Sequence, residues 1–255
     1  MKLSFTDKGD GFPVVLLHAY PLSKGMWNEQ IEFLADKNFR VIAPDLRGFG
    51  ESISSDLTLS IIDMAKDVAE LLDELNIEKA IIGGLSMGGY VTFNLYDIHP
   101  ELFAGMILCD TSSSADDADK KDTREKMIGG IEKEGMQFLV DNMLPSLVSE
   151  ESSEKKELIE SIKAEFMKCS PESATAAMRG MAERKDQNDL LSKIDVPTLL
   201  IFGEEDKPTN VENAERMAEQ IQDSTLKTIA NAGHYSNLEK PEEFNNHLYS
   251  FLRQF

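Results

Sequence analysis

Residues 84–88 read Gly-Leu-Ser-Met-Gly, a pattern that can set a serine hydroxyl where it attacks a carbonyl carbon. The chain has 16 glycines. A chain so composed produces the pentapeptide by chance in about a tenth of cases, so its setting decides its weight. KAIIGG (79–84) precedes it with the apolarity of a buried strand, and MGGYVTFNLYDI (87–98) follows with helical character. A strand-to-helix turn this tight strains the serine backbone and lifts Ser86 above the sheet edge. Glycine is required at 84 and 88, where a Cβ would strike the neighbouring chain. The helix behind Ser86 also offers the Met87 N–H to a developing negative charge.

A serine hydroxyl is a weak nucleophile without an adjacent base. The chain has four histidines. His99 precedes Pro100 where a helix ends, His247 lies among Glu and Asn on the last helix, and His18 closes the first core strand. His234 stands in the loop NAGHYSNLE (231–239), between a late strand and the last helix, where an imidazole can hang over the strand ends. That imidazole needs a carboxylate to fix its tautomer and stabilise its charged form. VPTLLIFGEEDKPT (196–209) supplies Asp206 just after a strand, and Asp110, at the end of AGMILCD, is the rival. Asp206 is preferred, giving the chain order Ser86, Asp206, His234.

Other polar clusters read differently. DLRGFGES (45–52) lacks the spacing of a phosphate loop and reads as the turn after the second core strand. Asp116, Asp117 and Asp119 do not fit a calcium loop and read as a solvated acidic linker. No His/Cys cluster has metal-ligand spacing, so no metal is expected.

These residues must be positioned by the rest of the chain. Strand-length apolar runs occur at 13–18, 39–44, 79–84, 104–110, 196–203 and 225–230, and helical spacing at 26–37, 60–75, 87–98, 209–222 and 241–253. Strands apolar on both faces, alternating with helices, indicate a doubly wound, mostly parallel α/β sheet. From 112 to 194 only helical sequence appears, opening on the linker-like TSSSADDADKKD. The expected division is a core of 1–111 and 195–255 with an all-helical lid, 112–194, over the carboxyl ends of the strands. Its methionines (Met127, Met136, Met143, Met167, Met178, Met181) either pack the lid or roof a pocket.

Composition bounds the rest. With 255 residues, 41% hydrophobic, the chain suits one large domain or a core carrying an insertion. A net charge of −20 repels phosphate backbones and anionic lipid, which argues against nucleic-acid and membrane partners. Two cysteines cannot build a disulfide framework, and Cys109 reads as a small core residue. The N-terminus lacks a signal-like apolar run, so a cytoplasmic setting is expected.

Along nearly its whole length the sequence resembles the α/β-hydrolase family. The resemblance rests on LLHAYPLSKGMW (16–27), APDLRGFGES (43–52), GLSMGG (84–89), LLIFGEEDKPT (199–209) and NAGHYSNLEKPEEFN (231–245). It implies cofactor-free hydrolysis of an ester, lactone, amide or activated carbon bond. His18-Ala19-Tyr20-Pro21 matches the family's oxyanion segment His-Gly-x-Pro, which implies Tyr20 N–H as the second oxyanion donor beside Met87. Ala19 in the glycine position requires a negative φ there. Tyr20 and Trp27 either line the acyl pocket or pack the loop. Among subgroups, the motifs look most like lactonases and small carboxylesterases related to 3-oxoadipate enol-lactonase, implying a small-molecule ester or lactone substrate. Serine at 86 argues against the dehalogenases and epoxide hydrolases, which carry aspartate there. Perhydrolases, carbon–carbon bond hydrolases and ligand sensors that keep the fold with little turnover share the same residues.

Overall fold

The apolar runs become the strands of one sheet in the computed structural model, which describes residues 1–53 and 59–255. The strands are β1 (Phe5–Lys8), β2 (Phe12–Leu17), β3 (Phe39–Pro44), β4 (Ala80–Leu85), β5 (Phe103–Cys109), β6 (Thr198–Gly203) and β7 (Ser224–Ile229). Their spatial order is β1-β3-β2-β4-β5-β6-β7. Only β1 runs antiparallel to its neighbour. Strands β4 and β6 are buried along their whole length, as strands covered on both faces must be. The sequence reading missed β1: FTDK carries no apolar run, and pairing with β3 from Phe5↔Pro44 to Lys8↔Val41 makes it a strand.

The core helices ahead of the sheet's second half are α1 (Asn28–Ala35), α2 (Ile61–Glu74) and α3 (Met87–Ile98). Helix α2 shows how the sequence sets one. Ser60 caps it by accepting the Asp63 N–H at 3.2 Å, and its apolar stripe buries Ile61, Met64, Ala65, Val68, Leu71 and Leu72. Each large aliphatic side chain buried this way contributes roughly 1.5–3 kcal/mol. A charge at Val68 would have no partner in that interface and would unseat the helix. Helix α1 starts later than the helical spacing at 26–37 suggests, because Lys24–Trp27 form a 3-10 turn first.

Between β5 and β6 the chain is helical: α4 (Ala118–Glu134), α5 (Met136–Leu147), α6 (Glu150–Ser153), α7 (Lys156–Lys168), α8 (Pro171–Ala182) and α9 (Asn188–Leu191). Asp117 caps α4 through the Lys120 N–H at 2.8 Å. Ser170 caps α8 through the Ser173 N–H at 3.1 Å, with Pro171 in the first turn. The run that reads as a linker is packed only at its start, with Thr111, Ser112 and Ser113 buried and residues 117–122 exposed. After β6 come α10 (Val211–Gln220), β7, α11 (Ser236–Glu239) and α12 (Pro241–Leu252).

From β2 the chain passes to β3 on one side, and it later returns to β4 on the other. The loops leaving β2 and β4 therefore diverge and open a crevice at the carboxyl ends of these strands. Among the described residues, no helix is long and apolar enough to cross a membrane.

Candidate active site

Ser86 occupies the turn from β4 into α3 with φ 55° and ψ −111°. Such a conformation costs a side-chain-bearing residue about 1–3 kcal/mol, so its surroundings must impose it. The Ser86 N–H donates to Cys109 O at 3.0 Å, and the Thr111 hydroxyl donates to Ser86 O at 2.8 Å. A Cβ on Gly84 would lie 2.4 Å from the Gly88 carbonyl carbon, and one on Gly88 would lie 2.1 Å from Leu17 O. The missing side chains let α3 press its first turn against β2, which drives the serine upward. Among the described residues, the N–H groups of Tyr20 and Met87 have no acceptor.

His234 is buried, 3% exposed, and its backbone N–H donates to Leu147 O at 2.8 Å. Its Nδ1 lies 3.0 Å from both carboxylate oxygens of Asp206. Thr209 supports the same carboxylate, with its N–H on Oδ1 at 3.1 Å and its hydroxyl on Oδ2. Burial pushes the Asp206 carboxyl up, but His234 and the Thr209 donors outweigh it and hold it below the usual range. Asp110 is engaged elsewhere: it accepts the Gly203 N–H at 2.8 Å and the Ser236 hydroxyl at 2.5 Å. Complete burial, and then the nearby charge of Asp206, push the Asp110 carboxyl well above its usual range. The structure thus brings His234 to Asp206 and leaves Asp110 behind it, held by Gly203 and Ser236.

The loop after β2 is fixed by His18. Its Nε2 accepts the Leu46 N–H at 2.9 Å, and Nδ1 lies 2.9 Å from Ala19 O. Burial lowers the imidazole to about 4, so it is neutral and donates from Nδ1. Ala19 O also accepts the Leu22 N–H at 2.9 Å. Carbonyl and N–H point opposite ways across a trans peptide, so pinning Ala19 O aims the Tyr20 N–H away from the loop. Ala19 is absent from the described residues with positive φ, as alanine there requires. The remaining histidines take other places: His99 closes α3 through its N–H on Leu95 O, and His247 lies 3.7 Å from Glu243 on α12.

Ser86 and His234 open on one cavity of about 250 Å³, walled by Tyr20, Tyr90, Arg124, Thr209 and the methionines 127, 143, 178 and 181. The methionines therefore roof the cavity from the helical insertion, although Met136 packs inward and Met167 is exposed. Trp27 does not reach it. That side chain is fully buried, with its ring 6.0 Å from that of Phe244, so it packs the loop against α12.

Asp116 also departs from the sequence reading. Far from being solvated, its carboxylate is 1% exposed and shared by Arg124 at 2.5 Å and Arg184 at 2.7 Å. Asp117 and Asp119 do remain at the surface. Arg124 escaped notice because it is charged, yet its spacing to Ile128 and Ile131 puts it on the buried stripe of α4. Glu239 was also missed. Buried on α11, it accepts the Gly233 N–H at 3.0 Å and the Ser149 N–H at 2.9 Å, tying the helical insertion to the His234 loop.

Fold and site define an α/β hydrolase, and comparison with known proteins agrees. The family described as alpha/beta hydrolase fold matches residues 13–133, and one described as TAP-like protein matches residues 163–254. The chain is 30% identical to 3-oxoadipate enol-lactonase 2 of Acinetobacter baylyi over 236 residues, covering 90% of this chain and 84% of that one. This chain belongs to the α/β-hydrolase family. Among solved structures it is similar to a thermophilic esterase from Thermogutta terrifontis, solved with malate bound. That match has TM-score 0.95 and 40% identity, over 99% of this chain and 93% of that one. It is also similar to the enol-lactonase from Burkholderia xenovorans LB400, with TM-score 0.91 and 26% identity, over 98% and 96% of the two chains.

Proposed function

We propose that this protein is a cofactor-free serine hydrolase of small carboxylic esters or lactones. The observation that carries the reading is Ser86, held at φ 55° on the wall of the cavity that His234 also lines, with Nδ1 of that histidine 3.0 Å from Asp206. Ionised Asp206 keeps the His234 proton on Nδ1, which leaves Nε2 free to act as a base. In the proposed reaction Nε2 takes the Ser86 proton as Oγ attacks the carbonyl carbon. The oxyanion forms against the N–H groups of Tyr20 and Met87. Protonated His234 then gives its proton to the leaving alkoxide, and water, deprotonated by the same imidazole, releases the acid from Ser86.

Residues 112–194 act in this reading as a lid that excludes water and shapes the acyl pocket. The likeness to an esterase and to enol-lactonases supports the substrate class. The free, buried cysteines Cys109 and Cys169 fit a reducing compartment, and the cytoplasm is the proposed setting.

The test is labelling with a fluorophosphonate probe, followed by turnover of a panel of p-nitrophenyl esters and small lactones. Wild type should be labelled at Ser86 and turn over continuously. Ser86→Ala should lose both, with its melting temperature kept. An unlabelled wild type, a single stoichiometric burst, or an active alanine variant would refute the proposal.

A further inference from the structure

We propose that the Arg124 side of the cavity is a carboxylate subsite, so that the substrate is a small ester or lactone that itself carries a carboxylate. This rests on the hydrolase reading above and narrows its substrate.

The argument begins with donors that are not used up. Arg124 spends Nε on Asp116 and sets Nη1 3.7 Å from the Met181 sulfur, a weak acceptor. Its Nη2 has no acceptor among the described residues, and the side chain lines the cavity. Arg184 shows how an arginine with a purely structural role looks. Its donors reach Asp116, Met181 O and Ser114 O, and its guanidinium stacks 4.0 Å from the centre of the Tyr90 ring.

Charge points the same way. One carboxylate, Asp116, serves two guanidiniums, which leaves one positive charge in excess, and Lys120 on the cavity rim adds another. The neighbouring methionines cannot solvate a cation, and low polarity strengthens its pull on an anion. Tyr20, 3% exposed and on the same cavity wall, has a hydroxyl with no partner. With Nε committed, the Nη1–Nη2 edge remains, and its fork matches a carboxylate. In a chain of net charge −20, this excess belongs to the cavity and not to a generally basic surface.

The test compares monomethyl succinate with methyl butyrate, esters of similar size that differ by one carboxylate, by pH-stat on the full chain. Wild type should favour monomethyl succinate in kcat/KM by about tenfold or more, expressed mainly in KM. Arg124→Gln should abolish that preference and Arg124→Lys should keep part of it. A wild-type ratio near one, or a glutamine variant that loses both esters in equal proportion, overturns the subsite. Calorimetry with succinate and with neutral succinamide needs neither turnover nor a stable variant. Succinate alone should bind wild type, and failure to bind overturns the subsite even in an active enzyme. Succinate binding without fluorophosphonate labelling keeps the subsite and sinks the hydrolase reading.

Discussion

Exchanging Asp206 for asparagine replaces one oxygen by an amide nitrogen and removes a full negative charge beside His234. The fold should tolerate it. The remaining oxygen can keep the Thr209 N–H, and the new amide can face the Thr209 hydroxyl, which also accepts. In the proposed reaction, what disappears is the attraction between the carboxylate and the imidazolium that would form during attack. Unit charges 3.0 Å apart, at an effective dielectric of ~20, attract by about 5 kcal/mol. Asparagine keeps a dipole in place of the charge, so the expected loss in kcat/KM is on the order of 10³ to 10⁴. The companion substitution is Asp110→Asn. Asp110 accepts the Gly203 N–H and the Ser236 hydroxyl away from His234; the oxygen of an asparagine can keep the Gly203 N–H, and its amide can donate to the Ser236 oxygen. Its φ of 42° is one asparagine adopts readily. That variant should stay within about tenfold of wild type, a barrier change near 1.4 kcal/mol. The assay is background-corrected hydrolysis of p-nitrophenyl butyrate at pH 7.5, with melting temperatures to confirm folding. The reasoning fails if Asp206→Asn keeps more than a tenth of wild-type activity, or if Asp110→Asn is the more damaging of the two.

Acid should weaken the fold through His18, whose folded value of about 4 lies below its ordinary 6.5. The unfolded chain then takes up the proton first, so this contribution is present above pH 6.5 and lost as pH falls toward 4, about 3 kcal/mol in all. Urea unfolding at several pH values should show that slope in wild type and not in His18→Gln; equal slopes would refute it. Asp206, held below its usual range, adds a loss at still lower pH. Glu239→Gln sets an amide N–H against the Ser149 or Gly233 N–H, and should cost about 1–3 kcal/mol in urea unfolding. It should also speed proteolysis near residues 147–149, and unchanged cleavage would mean that the tie does not hold the insertion. Gly88→Ala drives a methyl into Leu17 O, where neither backbone can yield, and should cost at least ~2 kcal/mol by thermal melting. An unchanged melting temperature there would contradict the packing of α3 on β2.

Much of the fold was legible because its signals are local. Buried parallel strands read as apolar runs, and β2 to β6 all lie within a few residues of them, while β7, at the far edge, is mostly half-buried or exposed and lies close to the run at 225–230. The edge strand β1 has no such run and exists by pairing alone. Helix α4 has a mostly polar sequence and is anchored by its Asp117 cap and by Arg124, a half-buried charge that a hydrophobic pattern does not register.

The turn at Ser86 illustrates what the sequence by itself determined. Strand, glycines and helix adjoin in the chain, so their steric demands are written within a dozen residues. The His234 loop and the two carboxylates after strands were legible on the same grounds. Only the tertiary structure decided which carboxylate faces the imidazole, that Trp27 packs against α12, and that Asp116 lies between two arginines. Those outcomes depend on which distant segments become neighbours and how far each is dried. Burial and pairing together set the state of a charge, and neither is a property of the residue's own stretch of chain.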